Sequence, residues 1–234
     1  MVGSILRFIF LYICYFIIRF LYRVDFDWLG EPPDHPFDKV RFCILLNHTR
    51  LFEFLYLGVL PSKMIWRLAS KGVFPGADKT MSRPFLGKAI SFVAPKAISI
   101  SRKRDHTWDY FMECLDEDSL VAIVPEGRMM RRTGLDLQGN PMSVKGGVAD
   151  ILETLDQGNM VIGYSAGLHH IQAPGEGFPK VFKRIVLRCE QISISEYKEK
   201  LKLEDKQTFQ EAVVKDLESR RDKICPPLQK LLEP

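Results

Sequence analysis

The chain has 234 residues, with 33 Lys or Arg against 29 Asp or Glu and 46% apolar residues. This length holds one core, or one core with an appendage, and the apolar content is ordinary for a globular protein. A net charge of +4 without a reader motif argues against nucleic acid as a partner.

Residues 1–23 read as an aromatic-rich apolar helix. Its unbroken run, Phe8 to Ile18, is flanked by Arg7, Arg19 and Arg23. A bilayer core needs about 20 apolar residues, so this run is too short to span without burying an arginine. It also lacks the small-residue cleavage site of a secretory signal. The expectation is an uncleaved helix lying in or dipping into one leaflet; the alternative is a core helix of the domain. Residues 24–40, with Gly30, Pro32, Pro33 and Pro36, read as a linker. The domain is then expected over 41–234.

Phe42 to Leu46 is an apolar run that predicts a buried strand. Asn47-His48-Thr49-Arg50-Leu51-Phe52-Glu53-Phe54 follows, with helical spacing from Leu51 onward. Strand, turn and helix are predicted, with Thr49 as the N-cap. His48 and Glu53 would then meet like the two ends of a hydrophobic staple. A carboxylate on one ring nitrogen fixes the tautomer and leaves the other nitrogen as a base. Open α/β sheets bind ligands at such strand ends. The alternative is an ordinary loop histidine.

Residues 61–104 carry ten Lys or Arg and one acid, Asp78. Met64 to Ala69 reads as a strand. Ser82 to Ile90 reads as a helix with Pro84 in its first turn. Ala97 to Arg102 alternates like a half-buried strand. The basic run is either a solvated face or an attraction to anionic headgroups, worth about 1 kcal/mol per residue near the surface. Asp105 caps a helix predicted to run to Cys114.

Val121 to Val124 predicts a further buried strand, ended by Pro125. Glu126-Gly127-Arg128 forms the turn after it. Gly127 permits an unusual backbone there, and Arg128 suits bidentate recognition of phosphate or carboxylate. A polar loop is expected over 131–145, a helix over 148–155 and a strand over 160–164. Gly163-Tyr164-Ser165-Ala166-Gly167 matches a nucleophile elbow. The histidines that follow, His169 and His170, are too near for the usual order, and no helix pattern follows the serine. A serine hydrolase acting through Ser165 is therefore the weaker reading. Arg184 to Arg188 reads as a strand and 206–223 as an amphipathic helix. The five cysteines are scattered, forming neither a disulfide framework nor a metal site, which favours a reducing compartment.

Together, Asn47-His48-x4-Glu53 and Pro125-Glu126-Gly127-Arg128 resemble the motifs of the glycerophospholipid acyltransferase family. Members acylate lysophosphatidic acid and related lysolipids. The resemblance covers roughly residues 35–190, and its paired motifs are most similar to the bacterial type. Three features depart from the family pattern. Glu53 replaces the usual Asp, no Thr precedes Arg128, and the fourth motif stands as Val161-Ile162-Gly163-Tyr164.

The resemblance implies one α/β domain with a mixed sheet flanked by helices, plus the N-terminal membrane helix. It implies acyl transfer from acyl carrier protein or coenzyme A thioesters to a lysolipid hydroxyl. His48 would act as base, with Glu53 orienting it. Arg102 and Arg128 would hold the acceptor headgroup, with Glu126 and Gly127 shaping the turn. It implies no metal or redox cofactor, and a place at the cytoplasmic face of a bacterial inner membrane. The rival is a catalytically silent lipid-binding protein on the same fold.

Overall fold

The structure is a computed structural model that describes residues 2–49, 52–101, 103–172, 176–201 and 207–232. Seven strands form one mixed sheet: β1 (Arg23–Trp28), β2 (Val40–Leu46), β3 (Gly72–Ala77), β4 (Lys96–Ile100), β5 (Leu120–Ile123), β6 (Asn159–Ser165) and β7 (Arg184–Ser193). Their order is β1-β7-β6-β2-β5-β3-β4. The five strands from β6 to β4 are mutually parallel. β7 is antiparallel to β6, and β1 runs parallel to β7.

Helices cover both faces. They are α1 (Val2–Leu21), α2 (Ser62–Lys71), α3 (Asp78–Met81), α4 (Pro84–Val93), α5 (His106–Glu113), α6 (Gly147–Thr154), α7 (Ile194–Lys200) and α8 (Phe209–Lys230), with a 3₁₀ helix at Glu53–Val59. Strand alternation sends side chains to two cores. Phe42, Ile44 and Leu46 join Met160, Ile162 and Tyr164 beneath α6 and α8. On the opposite face, Val161, Leu120 and Leu187 pack with Leu11, Ile18, Ile65 and Ala69.

Three expectations change. The expected linker over 24–40 contributes β1, whose partner β7 lies 161 positions on at the pair Arg23↔Arg184. Met64 to Ala69 is helical rather than extended, because Met64, Ile65 and Ala69 share the buried face of α2. Thr49 caps no helix: the helical turn begins at Glu53 after Phe52 and has no side-chain cap. β3, with Gly72, Pro75 and Gly76, lacks a readable strand pattern; it pairs with β5 only through Gly72 and Val73. α8 extends past 223 to Lys230 and starts on a capping box between Thr208 and Glu211.

α1 packs one stripe on the domain and leaves the other bare. Leu11 and Ile18 are buried, whereas Ile9, Ile13, Phe16, Ile17 and Phe20 are exposed. Close approach to the 3₁₀ helix is possible because Gly58 has no side chain: a Cβ there would lie 2.9 Å from Ile18 Cγ2. The Arg19 guanidinium donates to the Gly58 carbonyl at 3.1 Å.

Candidate active site

The carboxyl ends of β6, β2 and β5 lie side by side on one edge of the sheet. From β2 the chain leaves toward β3, and from β5 it crosses to β6 on the other side of β2. Such a reversal opens a crevice at the strand ends. The two sequence motifs meet there.

Asn47 leaves β2 with φ of +67°, a conformation Asn tolerates better than most residues. Its Nδ2 donates to the Ser165 carbonyl at 2.8 Å and so ties β2 to β6. The turn aims two successive backbone N–H groups at one carboxylate. Asn47 N donates to Glu126 Oε1 at 2.8 Å, and His48 N donates to Glu126 Oε2 at 3.0 Å. Met130 N donates to the His48 carbonyl at 2.8 Å. Glu126 thus holds the backbone under the histidine, a role beyond the turn-shaping one expected from sequence. Only 1% of Glu126 is exposed. Burial pushes its carboxyl pKa up, against the two N–H donors, His48 and the Arg221 guanidinium.

His48 Nδ1 lies 2.7 Å from Glu53 Oε1. The side chains retain 9% and 14% of their exposure, so little water screens the pair. Burial lowers the imidazole pKa, but the charge and hydrogen bond of Glu53, with the charge of Glu126, outweigh it. The net shift is upward from the ordinary value. With Glu53 on Nδ1, the neutral ring carries its proton there. Nε2 is then left as the basic atom, with no protein partner among the described residues. The contact predicted between His48 and Glu53 therefore forms, although by a 3₁₀ turn instead of a capped α-helix.

Gly127 takes φ of +61° in the turn after β5. Arg128 is ion-paired to Asp136, which is buried and accepts from Gln138 N at 2.8 Å and Asn140 N at 2.9 Å. Arg128 thus organises the loop over 131–145 while part of its side chain stays exposed. Arg102 lies outside the described residues, as do Arg50 and Leu51. β4, which leads to Arg102, is three strands from β2, about 14 Å at ~4.8 Å per strand.

Ser165 is no exposed nucleophile. Its Oγ is buried against the Tyr56 hydroxyl and accepts from Gly167 N at 2.9 Å. The adjacent histidines bond elsewhere: His169 Nε2 donates to the Met130 carbonyl, and His170 Nε2 to that of Arg184. Thr49 Oγ1 accepts from Leu168 N at 2.8 Å, locking the segment after β6 to the His48 turn. Among the described residues no cluster of three or more His, Cys, Asp or Glu is placed to hold a metal ion.

Sequence reasoning missed Tyr56, Asp136 and Arg221, and placed Asn47 in the motif without giving it a role. The Asn-His pair was a readable signal for Asn47. Nothing local marks Arg221, whose charge acts on Glu126 from α8 while its Nε pairs with Asp222 and its Nη1 donates to the Met142 carbonyl at 3.3 Å.

The class defined by this architecture is a single α/β domain with a seven-stranded mixed sheet, helices on both faces and an apolar N-terminal helix. Among solved structures it is similar to the 1-acyl-sn-glycerophosphate (LPA) acyltransferase PlsC from Thermotoga maritima. The two share a TM-score of 0.56 and 15% sequence identity, over 97% of this chain and 79% of that chain. At that identity the likeness is one of fold. A scan against protein-family models found no match, and a search of the curated proteins found none either.

Proposed function

We propose that the chain is a membrane-associated acyltransferase that moves a fatty acyl group from a thioester to the hydroxyl of a lysolipid. The observation carrying this reading is the 2.7 Å contact between His48 Nδ1 and Glu53, at the carboxyl end of β2. The shared fold with a structure described as an LPA acyltransferase supports it. His48 Nε2 takes the proton of the lysolipid hydroxyl as its oxygen attacks the thioester carbonyl carbon. The tetrahedral intermediate collapses, the carbon–sulfur bond breaks, and the proton passes from Nε2 to the departing thiolate. Glu53 holds the ring and stabilises the imidazolium formed midway. Glu126 fixes the backbone beneath it.

Arg128 and Arg102 are proposed to hold an anionic acceptor headgroup, with Gly127 giving the turn that carries Arg128. Pairing with Asp136 leaves Arg128 oriented, and its exposed part is free to meet a phosphate or carboxylate. The donor is a thioester of coenzyme A or acyl carrier protein, both acidic and suited to the basic run over 61–104. The exposed apolar stripe of α1 supports membrane association; the place proposed for it is peripheral or monotopic, in one leaflet at the cytoplasmic face. A silent lipid-binder has no need of a carboxylate on the His48 ring and is favoured by Glu53 turned away from it; the short contact favours catalysis. The test is transfer of labelled acyl groups from both donors to a panel of lysolipids.

A further inference from the structure

We infer that residues 176–183, between β6 and β7, form a second membrane contact: Phe178, Val181 and Phe182 enter an anionic bilayer beside the end of α1. The inference rests on the membrane-associated reading given above. Phe178 is 90% exposed and Phe182 72% exposed, with Val181 exposed between them. Three large apolar side chains bared within five residues form a patch, unlike singly scattered surface residues.

The backbone of this loop is held while its side chains are turned out. Lys180 N donates to the Ile171 carbonyl at 2.7 Å, and Gln172 Nε2 donates to the carbonyls of Glu176 and Gly177. Phe182 adopts φ of +59°, which a bulky residue rarely takes. In that conformation its N–H donates to the Leu21 carbonyl, the last of α1, at 2.7 Å. The loop is therefore continuous with the bare end of α1, where Phe16, Ile17 and Phe20 are exposed.

The surrounding charge fits anionic headgroups. Lys180, Lys183, Arg184 and Arg23 outnumber Glu176 and Asp25; Lys180 pairs with Glu176 and both arginines pair with Asp25, so the local excess is two positive charges, with Lys183 outside these pairs. Aromatic residues flanked by lysines place rings at the acyl boundary and ammonium groups among the phosphates. The same β6–β7 connection is tied to the His48 turn through Leu168 and to the loop after β5 through His169. Two contacts, α1 and this loop, would then fix how the strand-end crevice faces the lipid.

The test uses the full chain reconstituted into phosphatidylglycerol–phosphatidylcholine vesicles. The variant Phe178→Trp is compared with Glu117→Trp, which lies just before the amino end of β5, at the opposite end of the parallel strands. Each is corrected for the wild-type tryptophans. The emission added at position 178 is expected to be quenched by lipids brominated on the acyl chain and spared by aqueous iodide; at position 117 the pattern is reversed. Co-flotation with vesicles but iodide quenching at position 178 overturns the loop contact alone. Protection from iodide without bromolipid quenching means that protein covers the loop, and overturns it too. Failure to co-float overturns both membrane contacts. Acyl transfer is measured separately, so a wild type silent on every acceptor would sink the enzymatic reading and leave the quenching result intact.

Discussion

Replacing Glu126 with Gln tests the link between the two motifs. The carboxylate accepts from two buried N–H groups, at 2.8 and 3.0 Å. Gln offers one carbonyl oxygen, and its NH₂ group faces the second N–H, donor against donor. A buried donor without its acceptor costs about 1–3 kcal/mol. Removing the charge also relieves the burial penalty that raises the Glu126 carboxyl, and removes the countercharge of Arg221. These two effects oppose each other, so the unmatched donor dominates. For a chain of this size each kcal/mol shifts Tm by about 2–4 °C. The expected loss is therefore about 2–12 °C, read by thermal unfolding in detergent. Acyl transfer should fall as well, because His48 N is one of the two donors. A Gln variant with unchanged Tm and full activity would refute the claim that Glu126 holds the His48 backbone.

Three further outcomes are expected. The rate of transfer should rise with pH through a value above the ordinary imidazole pKa of about 6.5, because the base must be neutral and Glu53 holds the proton on; in Glu53→Gln that limb should move to lower pH, as a pH–rate profile will show. The same pair stabilises the fold below the unfolded imidazole value, and this contribution is lost as pH rises through the higher folded value. Asp136→Ala frees Arg128 and leaves Gln138 N and Asn140 N without their acceptor; faster proteolysis within 131–145 and a raised KM for the acceptor are expected, measured against an unchanged KM for the thioester. Gly58→Ala places a methyl 2.9 Å from Ile18 Cγ2; overpacking of this kind costs about 1–3 kcal/mol. α1 should loosen, seen as faster hydrogen exchange at its C-terminal turns.

The central strands were legible because their signal is local. Phe42 to Leu46 and Met160 to Tyr164 are short apolar runs, and their burial shows why. The His48–Glu53 contact was legible because the two residues are close in sequence. β1 was not, since its alternating Val24, Phe26 and Trp28 pair with residues about 160 positions away and sit among glycine and prolines. α2 was misread because six residues, Met64 to Ala69, are too short for apolar spacing to separate helix from strand. Glu126 was recognised as a turn residue, but its two acceptor bonds depend on β2 and β5 being neighbours, and strand order is not written in either motif. Arg221 belongs to the same class: α8 read as a packing helix, and only its docking brings a guanidinium near the buried carboxylate.

The most direct test of the central claim is acyl transfer by the wild type and by His48→Ala, in detergent, with labelled acyl-coenzyme A and acyl carrier protein as donors. General-base catalysis contributes about 10²- to 10⁴-fold. A loss of that size is expected in the variant, with a single cooperative unfolding transition retained and an acceptor identified in the wild type. Equal rates in the two proteins would contradict it and move the catalytic centre away from the end of β2.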